Sequence, residues 1–303
     1  AVEGSGLVPA YRGTAYVVIE DLDLSQYGNR VPQFSFEITR PDSGAKDVPD
    51  LVRGVAMIPG TGEYALATEP VYWAYQASTD ALFGTGPGGV AVANVNSPSE
   101  EPDFNTSLQQ LTDEVPACEA TSLIVSWFGN DLRCGLCEIK PKVEQTAYDG
   151  RMPWTVSGLT RGAAETVPED EGRPVYGGTP TDQSVVQAIR RMNAKGLKVM
   201  YYPFILMEQT AGNTLENPWT GEVGQPALPW RGRITLSTAP GRAGSPDTTV
   251  AADAEVAAFF GTASASDFAV GDGTVTYSGP SEWRYRRFNL HQAALCAAAG
   301  GVD

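Results

Sequence analysis

Apolar positions change period along this chain, and the second half carries the clearer signal. Leu108 and Leu111 share one helical face, with Asn105 placed to cap its start. Ser122 to Gly129 is then an almost continuous apolar run bounded by glycine, which predicts a strand buried on both faces, as in parallel sheets. A long excursion from Trp154 to Gly178 follows, too long for a simple connection. Next, Val185, Ile189 and Met192 form a helical stripe. Thr179 is its expected N-cap, Pro180 its first residue, and Asp182 completes a capping-box-like signal. Gly196 ends this helix, and Leu197 to Leu206 reads as a strand with Pro203 near its exit. Thr248 or Thr249 opens another helix, carrying Val256, Phe259 and Phe260 and stopped by Gly261. A polar, Gly-rich stretch from Ser264 to Ser278 reads as a separator. Tyr285, Phe288, Leu295 and Ala299 then step by helical spacing, with Gln292 the polar exception. The Gly300-Gly301 pair before Val302 announces a further strand.

Strand, helix and strand in alternation predict the first units of a β/α barrel. Closing one takes eight parallel strands and about 250 residues. The expectation is therefore a piece of a longer protein.

The first segment is β-rich. Ala15 to Glu20 has β-branched and aromatic content, and Gln33 to Arg40 alternates, with Phe34, Phe36 and Ile38 on one face until Pro41. Two strands are too few for a domain. The stretch from Pro41 to Asp103 is turn-rich. Its Gly84 to Gly89 run lacks the Lys-Ser/Thr and following helix of a phosphate loop, and reads as a flexible loop. The expected fold class is α/β plus β: a β-rich segment over residues 1–45, a connector over 46–110, and a partial TIM-like β/α barrel over 111–303.

Composition narrows the function. Net charge is −15 over 303 residues, which disfavours passive binding to nucleic acid or anionic membrane. No apolar run is long enough for a membrane helix. Cys134 and Cys137 invite a metal reading, but zinc needs four ligands and the only histidine, His291, is far along the chain. Buried small hydrophobes or one disulfide are the plainer readings, and no metal or cofactor is expected. His291 has no motif partner and reads as structural.

What remains is a set of aromatic and charged residues at predicted strand ends, where β/α barrels place their sites. Trp127 and Asp131 follow the first strand; Tyr202, Phe204 and Glu208 belong to the second; Trp230 and Arg231 precede a short predicted strand at Ile234 to Leu236. Flat rings beside polar groups suit sugar recognition. Trp127, Asp131, Tyr202, Glu208, Trp230 and Arg231 are therefore the candidate carbohydrate-binding residues. The alternative is that the aromatics are barrel core. Asp131 and Glu208 are the candidate carboxylates for glycoside hydrolysis, at a separation that the sequence does not fix.

Several stretches carry a resemblance. Pro9 to Val18, Tyr27 to Pro32 and the Phe36 strand resemble the hub region of phage tail-tip proteins. Ile58 to Glu63, Trp127 to Arg133, Tyr176 to Pro180, Tyr202 to Met207, Pro229 to Ile234 and Tyr277 to Trp283 resemble the barrel-like domain of the large tail-tip "megatron" proteins of gene transfer agents and related siphophages. The resemblance implies a baseplate hub at the distal tail tip of a virion assembled in the bacterial cytoplasm. It would form a trimer around the channel, contact other tail and baseplate proteins, and serve host attachment and DNA delivery without binding DNA specifically. The family's barrel looks like that of glycoside hydrolases, whose acid/base carboxylate commonly follows the fourth strand, and no residue of this sequence occupies that position. Two expectations result: a structural hub component, or a glycosidase-like enzyme acting on host surface or cell-wall polysaccharide.

Overall fold

A computed structural model describes residues 48–59, 62–75 and 89–303, together with Val18 and Glu20. All but those two belong to one unit, Lys46–Asp303. The strands expected at Ala15 to Glu20 and Gln33 to Arg40, and the loop over 84–88, lie outside the described residues apart from Val18 and Glu20.

In chain order the elements begin with α1 (Val48–Leu51), β1 (Gly54–Met57), β2 (Tyr72–Tyr75), β3 (Gly89–Val92), α2 (Asp103–Glu114) and β4 (Ala120–Gly129). Short strands follow: β5 (Ile139–Lys140), β6 (Lys142–Val143), β7 (Thr155–Val156), β8 (Leu159–Thr160), β9 (Glu165–Thr166), β10 (Glu169–Asp170) and β11 (Arg173–Pro174). Then come α3 (Asp182–Ala194), β12 (Lys198–Met207), α4 (Val250–Phe260), β13 (Phe268–Gly271), β14 (Thr274–Tyr277) and α5 (Tyr285–Ala298). The fold is mixed α/β.

The main sheet runs β1-β4-β12, these three parallel, with β5 added antiparallel at the end of β4. Gly54, Ala120 and Lys198 start in line, and β12 stays paired with β4 as far as Met207 opposite Gly129. β1 falls inside the stretch read as a connector, so that stretch contributes to the sheet.

Burial alternates along β4 because a strand's side chains alternate. Leu123, Val125 and Val199 point to one face and pack against Leu108 of α2, Val185, Ile189 and Met192 of α3, and Leu295 of α5. Trp127, Ile205 and Met207 extend that face into a second core with Ile139, Val143, Trp154 and Phe288. Ile124, Ser126, Tyr202, Phe204 and Leu206 occupy the opposite face and are only half-buried or exposed, whereas Phe128 at its C-terminal end is buried against Tyr176. The expectation of β4 buried on both faces is thus corrected over most of its length: helices cover one face, and among the described residues the other is closed only at its C-terminal end, around Phe128. The sheet is open, with no closed barrel among those residues.

Backbone bonding along β12 also alternates. Lys198 N–H donates to Glu119 O at 2.9 Å and Glu208 N–H to Gly129 O at 3.0 Å, both toward β4. Val199 faces the other way: Asp303 N–H donates to its carbonyl at 2.9 Å, and its own N–H donates to Asp303 Oδ2 at 2.9 Å. By this parity Pro203 turns its nitrogen to the outer edge, so its missing N–H removes no bond to β4.

Two expected helix starts move, and a third settles on one of its two expected caps. α2 begins at Asp103 after Pro102, and Asn105 instead donates from Nδ2 to Thr68 O at 3.0 Å. α3 begins at Asp182 with Thr181 at its N-cap position. Thr179 Oγ1 donates to Ser126 O at 3.0 Å, so it ties the loop to β4 rather than capping the helix. Thr249, not Thr248, caps α4, its Oγ1 accepting from Ala251 N–H at 3.2 Å. The polar stretch from Ser264 to Ser278 contains the hairpin β13–β14, and the short strand expected at Ile234 to Leu236 reduces to one bridge, Thr235 to Arg133. All four cysteines are free, which removes the disulfide reading.

Candidate functional site

The chemistry gathers on the uncovered face and at the C-terminal ends of β4 and β12. Tyr202 and Phe204 stand two residues apart on β12, hence on one face. Trp230 and Arg231 reach them from the turn beyond the strand. Arg231 Nη2 donates to Tyr202 Oη at 2.6 Å. Its guanidinium lies 4.0 Å from the Phe204 ring centroid, 4.4 Å from that of Trp230 and 5.9 Å from that of Tyr202. Phe204 and Trp230 meet edge to face at 5.9 Å. Trp230 is 62% exposed and Tyr202 38%. A planar cation among three rings gains cation–π attraction and is held rigidly.

Phe204 also lines a cleft of about 520 Å³ on the same face, with Ser126, Tyr176, Gly178 and Leu206. Arg231 and Tyr202 border a second, apolar cavity of about 650 Å³ running to Phe259 and Tyr285. The patch thus lends Phe204 to the first and Tyr202 and Arg231 to the second.

The six candidate residues part company. Tyr202, Trp230 and Arg231 come together in this patch. Trp127 is 1% exposed, ringed by Phe288, Trp283 and His291, and belongs to the core. Asp131 is buried and accepts from Arg133 Nη2 at 2.7 Å and Gln225 Nε2 at 2.7 Å. Burial pushes its carboxyl up, but the bonds from Arg133 and Gln225 outweigh that and hold it below the usual carboxylate range. Neither is free to meet a ligand. Glu208 has its own partner, with Lys142 Nζ 2.7 Å from Oε2.

Lys142 in turn lies 2.9 Å from Glu165, which also takes Lys140 at 2.8 Å. Burial raises the Glu165 carboxyl, yet these two ammonium groups bring it down to about 2. Glu144, two residues beyond Lys142, behaves oppositely: burial and then the charge of Glu63 raise its pKa. Glu144 Oε1 accepts from Gly178 N–H at 3.2 Å, at the rim of the cleft.

A buried knot braces this rim. Arg161 donates to Glu63 at 3.1 Å, Asp149 at 2.9 Å, Tyr64 Oη at 3.1 Å and Gln145 O at 2.9 Å. Burial and the bond to Asp149 push the Tyr64 hydroxyl up to about 12. Gly178 closes against Glu63, whose Cγ would lie 2.8 Å from any Cβ added there.

Sequence reasoning passed over Lys142, Glu144 and Tyr176 as site residues. Lys142 stands in the two-residue strand β6 and Glu144 just past it, too short a stretch to leave a periodic signal. Tyr176 stands in one of the stretches that carry the resemblance. Among the described residues no group of His, Cys, Asp and Glu side chains could hold a metal ion.

The fold and site define a mixed α/β domain with an aromatic–guanidinium patch beside an open cleft. The sequence matches no protein-family model, and no curated protein shows significant similarity to it.

Proposed function

We propose that this chain is a structural component of the distal tail tip of a phage or gene transfer agent particle. Its α/β unit is read as an open segment of a TIM-like β/α barrel that recognises host surface polysaccharide. Its partners would be other tail and baseplate proteins and further copies of itself, arranged as a trimer around a channel through which DNA passes without specific binding.

The observation that carries this reading is convergence. Six stretches that carry the resemblance meet at one end of the main sheet. Ile58 and Pro59, Tyr176 to Gly178, and Phe204 and Leu206 line one cleft. Arg231 reaches Phe204 from the fifth stretch, and Trp283 packs against Trp127, joining the last to the second. Of the Ile58 to Glu63 stretch, Gly60 and Thr61 lie outside the described residues. Recognition is favoured over hydrolysis because Asp131 is tied to Arg133 and Gln225 while the patch rings are open. The acidic charge suits a DNA channel that must not adhere to its cargo.

Antibody raised against the chain, applied to particles released by the source cells, is expected to decorate the distal end of the tail in electron micrographs. Antigen confined to the cytosol, absent from purified particles, would overturn the assignment.

A glycosidase-like activity is the second reading, favoured by one contrast. Burial and Glu63 raise the pKa of Glu144, as a general acid requires, while Lys142 of β6 pairs with Glu208 just past β12. Release of reducing ends from host polysaccharide, lost in both Glu144→Gln and Glu208→Gln, would establish it; no release by the unaltered chain excludes it for the glycans tried.

A further inference from the structure

The geometry points to Arg231, set among Tyr202, Phe204 and Trp230, as the carboxylate-binding centre of a subsite for an acidic saccharide. This deepens the polysaccharide-recognition part of the proposed function and rests on it.

Charge distribution is the first observation. Although the chain carries −15 overall, residues 223–246 contain Arg231, Arg233 and Arg242 and no Asp or Glu. Arg242 is spent on the carbonyls of Pro218 and Thr220, at 2.9 and 2.7 Å. Arg233 stands over the Trp219 ring at 5.7 Å. No carboxylate among the described residues pairs with Arg231.

The second observation is how Arg231 is held. One terminal nitrogen is fixed on Tyr202 Oη, and the guanidinium sits in the corner that the Phe204 and Trp230 rings make at 74°. The other terminal nitrogen, Nη1, is shielded from solvent and has no hydrogen-bond partner. A buried donor left unmade is costly, and a carboxylate oxygen satisfies it with a charge-assisted bond. Pre-ordering the guanidinium on the rings lowers the entropy lost on binding.

The third observation is the company of the cation. Trp230 and Tyr202 offer exposed flat surface next to it, and open ring faces beside one fixed cation match a pyranose that carries a carboxylate. A neutral sugar would leave Nη1 unmatched by charge, and a bare anion would leave the rings unused.

The test is titration of the intact chain with oligogalacturonate, with a neutral oligosaccharide of equal length, and with dextran sulfate, followed by calorimetry and Trp fluorescence. The acidic oligomer is expected to bind most tightly and to weaken with added salt. Arg231→Gln should weaken it about tenfold, the loss of one charge-assisted bond, while the neutral oligomer changes little. Arg231→Lys should recover part of the loss, and Trp230→Ala should weaken both sugars. If the neutral oligomer binds as well as the acidic one, or Arg231→Gln has no effect, the carboxylate assignment fails and the glycan reading stands. Equal binding of dextran sulfate reduces the site to a general anion patch and overturns it. Binding of no oligomer removes the glycan reading as well.

Discussion

His291 Nε2 lies 2.8 Å from Asp182 Oδ1, which ties the middle of α5 to the first turn of α3 across the edge of the core. His291 is wholly buried, and Asp182 Oδ2 also accepts the Ser157 N–H at 3.0 Å. Removing the carboxylate strands two buried donors. Asp182→Ala is expected to cost about 3 kcal/mol of stability, and Asp182→Asn clearly less. Chemical denaturation of the two variants checks the order.

Much of this was legible in the sequence, and the exceptions share a cause. β4, β12, α3 and α5 follow from periodicity and glycine stops, because those signals are local. Asp182 looked like a capping residue, and its partner stands 109 positions away, beyond the reach of any local pattern. Trp127 and Trp230 looked alike as aromatics near strand ends. Which one is buried depends on the short strands after β4 and on α5, which close over Trp127 and leave Trp230 outside. The β13–β14 hairpin did leave a local mark, the turn-forming Asp272-Gly273 between alternating residues, with Gly273 at φ +72°. The surrounding serines and glycines concealed it.

That contrast between the two tryptophans gives a paired prediction. Trp127→Ala empties a fully enclosed site and should destabilise the domain by about 3–5 kcal/mol. Trp230→Ala should leave the unfolding midpoint nearly unchanged while weakening saccharide binding. Thermal melts beside a binding titration separate the two effects.

The Arg161 knot should be among the least replaceable features. Arg161→Ala leaves Glu63 and Asp149 facing each other without a cation, a change expected to cost about 3–5 kcal/mol. Arg161→Lys should rescue little, since one ammonium cannot reach four acceptors arranged around a planar fork. Denaturant midpoints of both variants provide the comparison.

Acid should weaken the fold through two paired carboxylates, Asp149 and Glu165. Burial raises Asp149, but bonds from Tyr64 and Arg161 bring it below its ordinary range, and Glu165 sits at about 2. A carboxyl held below its unfolded value stabilises the native state above that value, about 4, and loses the contribution as pH falls through the folded one. Stability should therefore decline from about pH 4 toward pH 2. Glu144, raised instead, contributes with the opposite sign and is relieved in acid. Urea titrations across this range test it, and Lys140→Gln combined with Lys142→Gln should flatten the slope at its acid end.

Gly178 is expected to tolerate no side chain. Its Cβ would meet Glu63 Cγ and Oε1 at 2.8 Å, and Glu63 is pinned by Arg161. Gly178→Ala should cost about 1–3 kcal/mol by overpacking and lower the affinity of the adjoining cleft. A melt and a ligand titration on the same sample measure both.

Pro203 also shapes how β12 meets other polypeptide. Tyr201, Ile205 and Met207 aim their amides at the outer edge, where Asp303 has already taken the Val199 position. A guest strand zipped along that edge finds a missing tooth at Pro203. Accidental partners, which need an unbroken row, are discouraged, while a segment whose own sequence skips a bond at that step is accepted. The edge thus works as a filter on what joins the sheet.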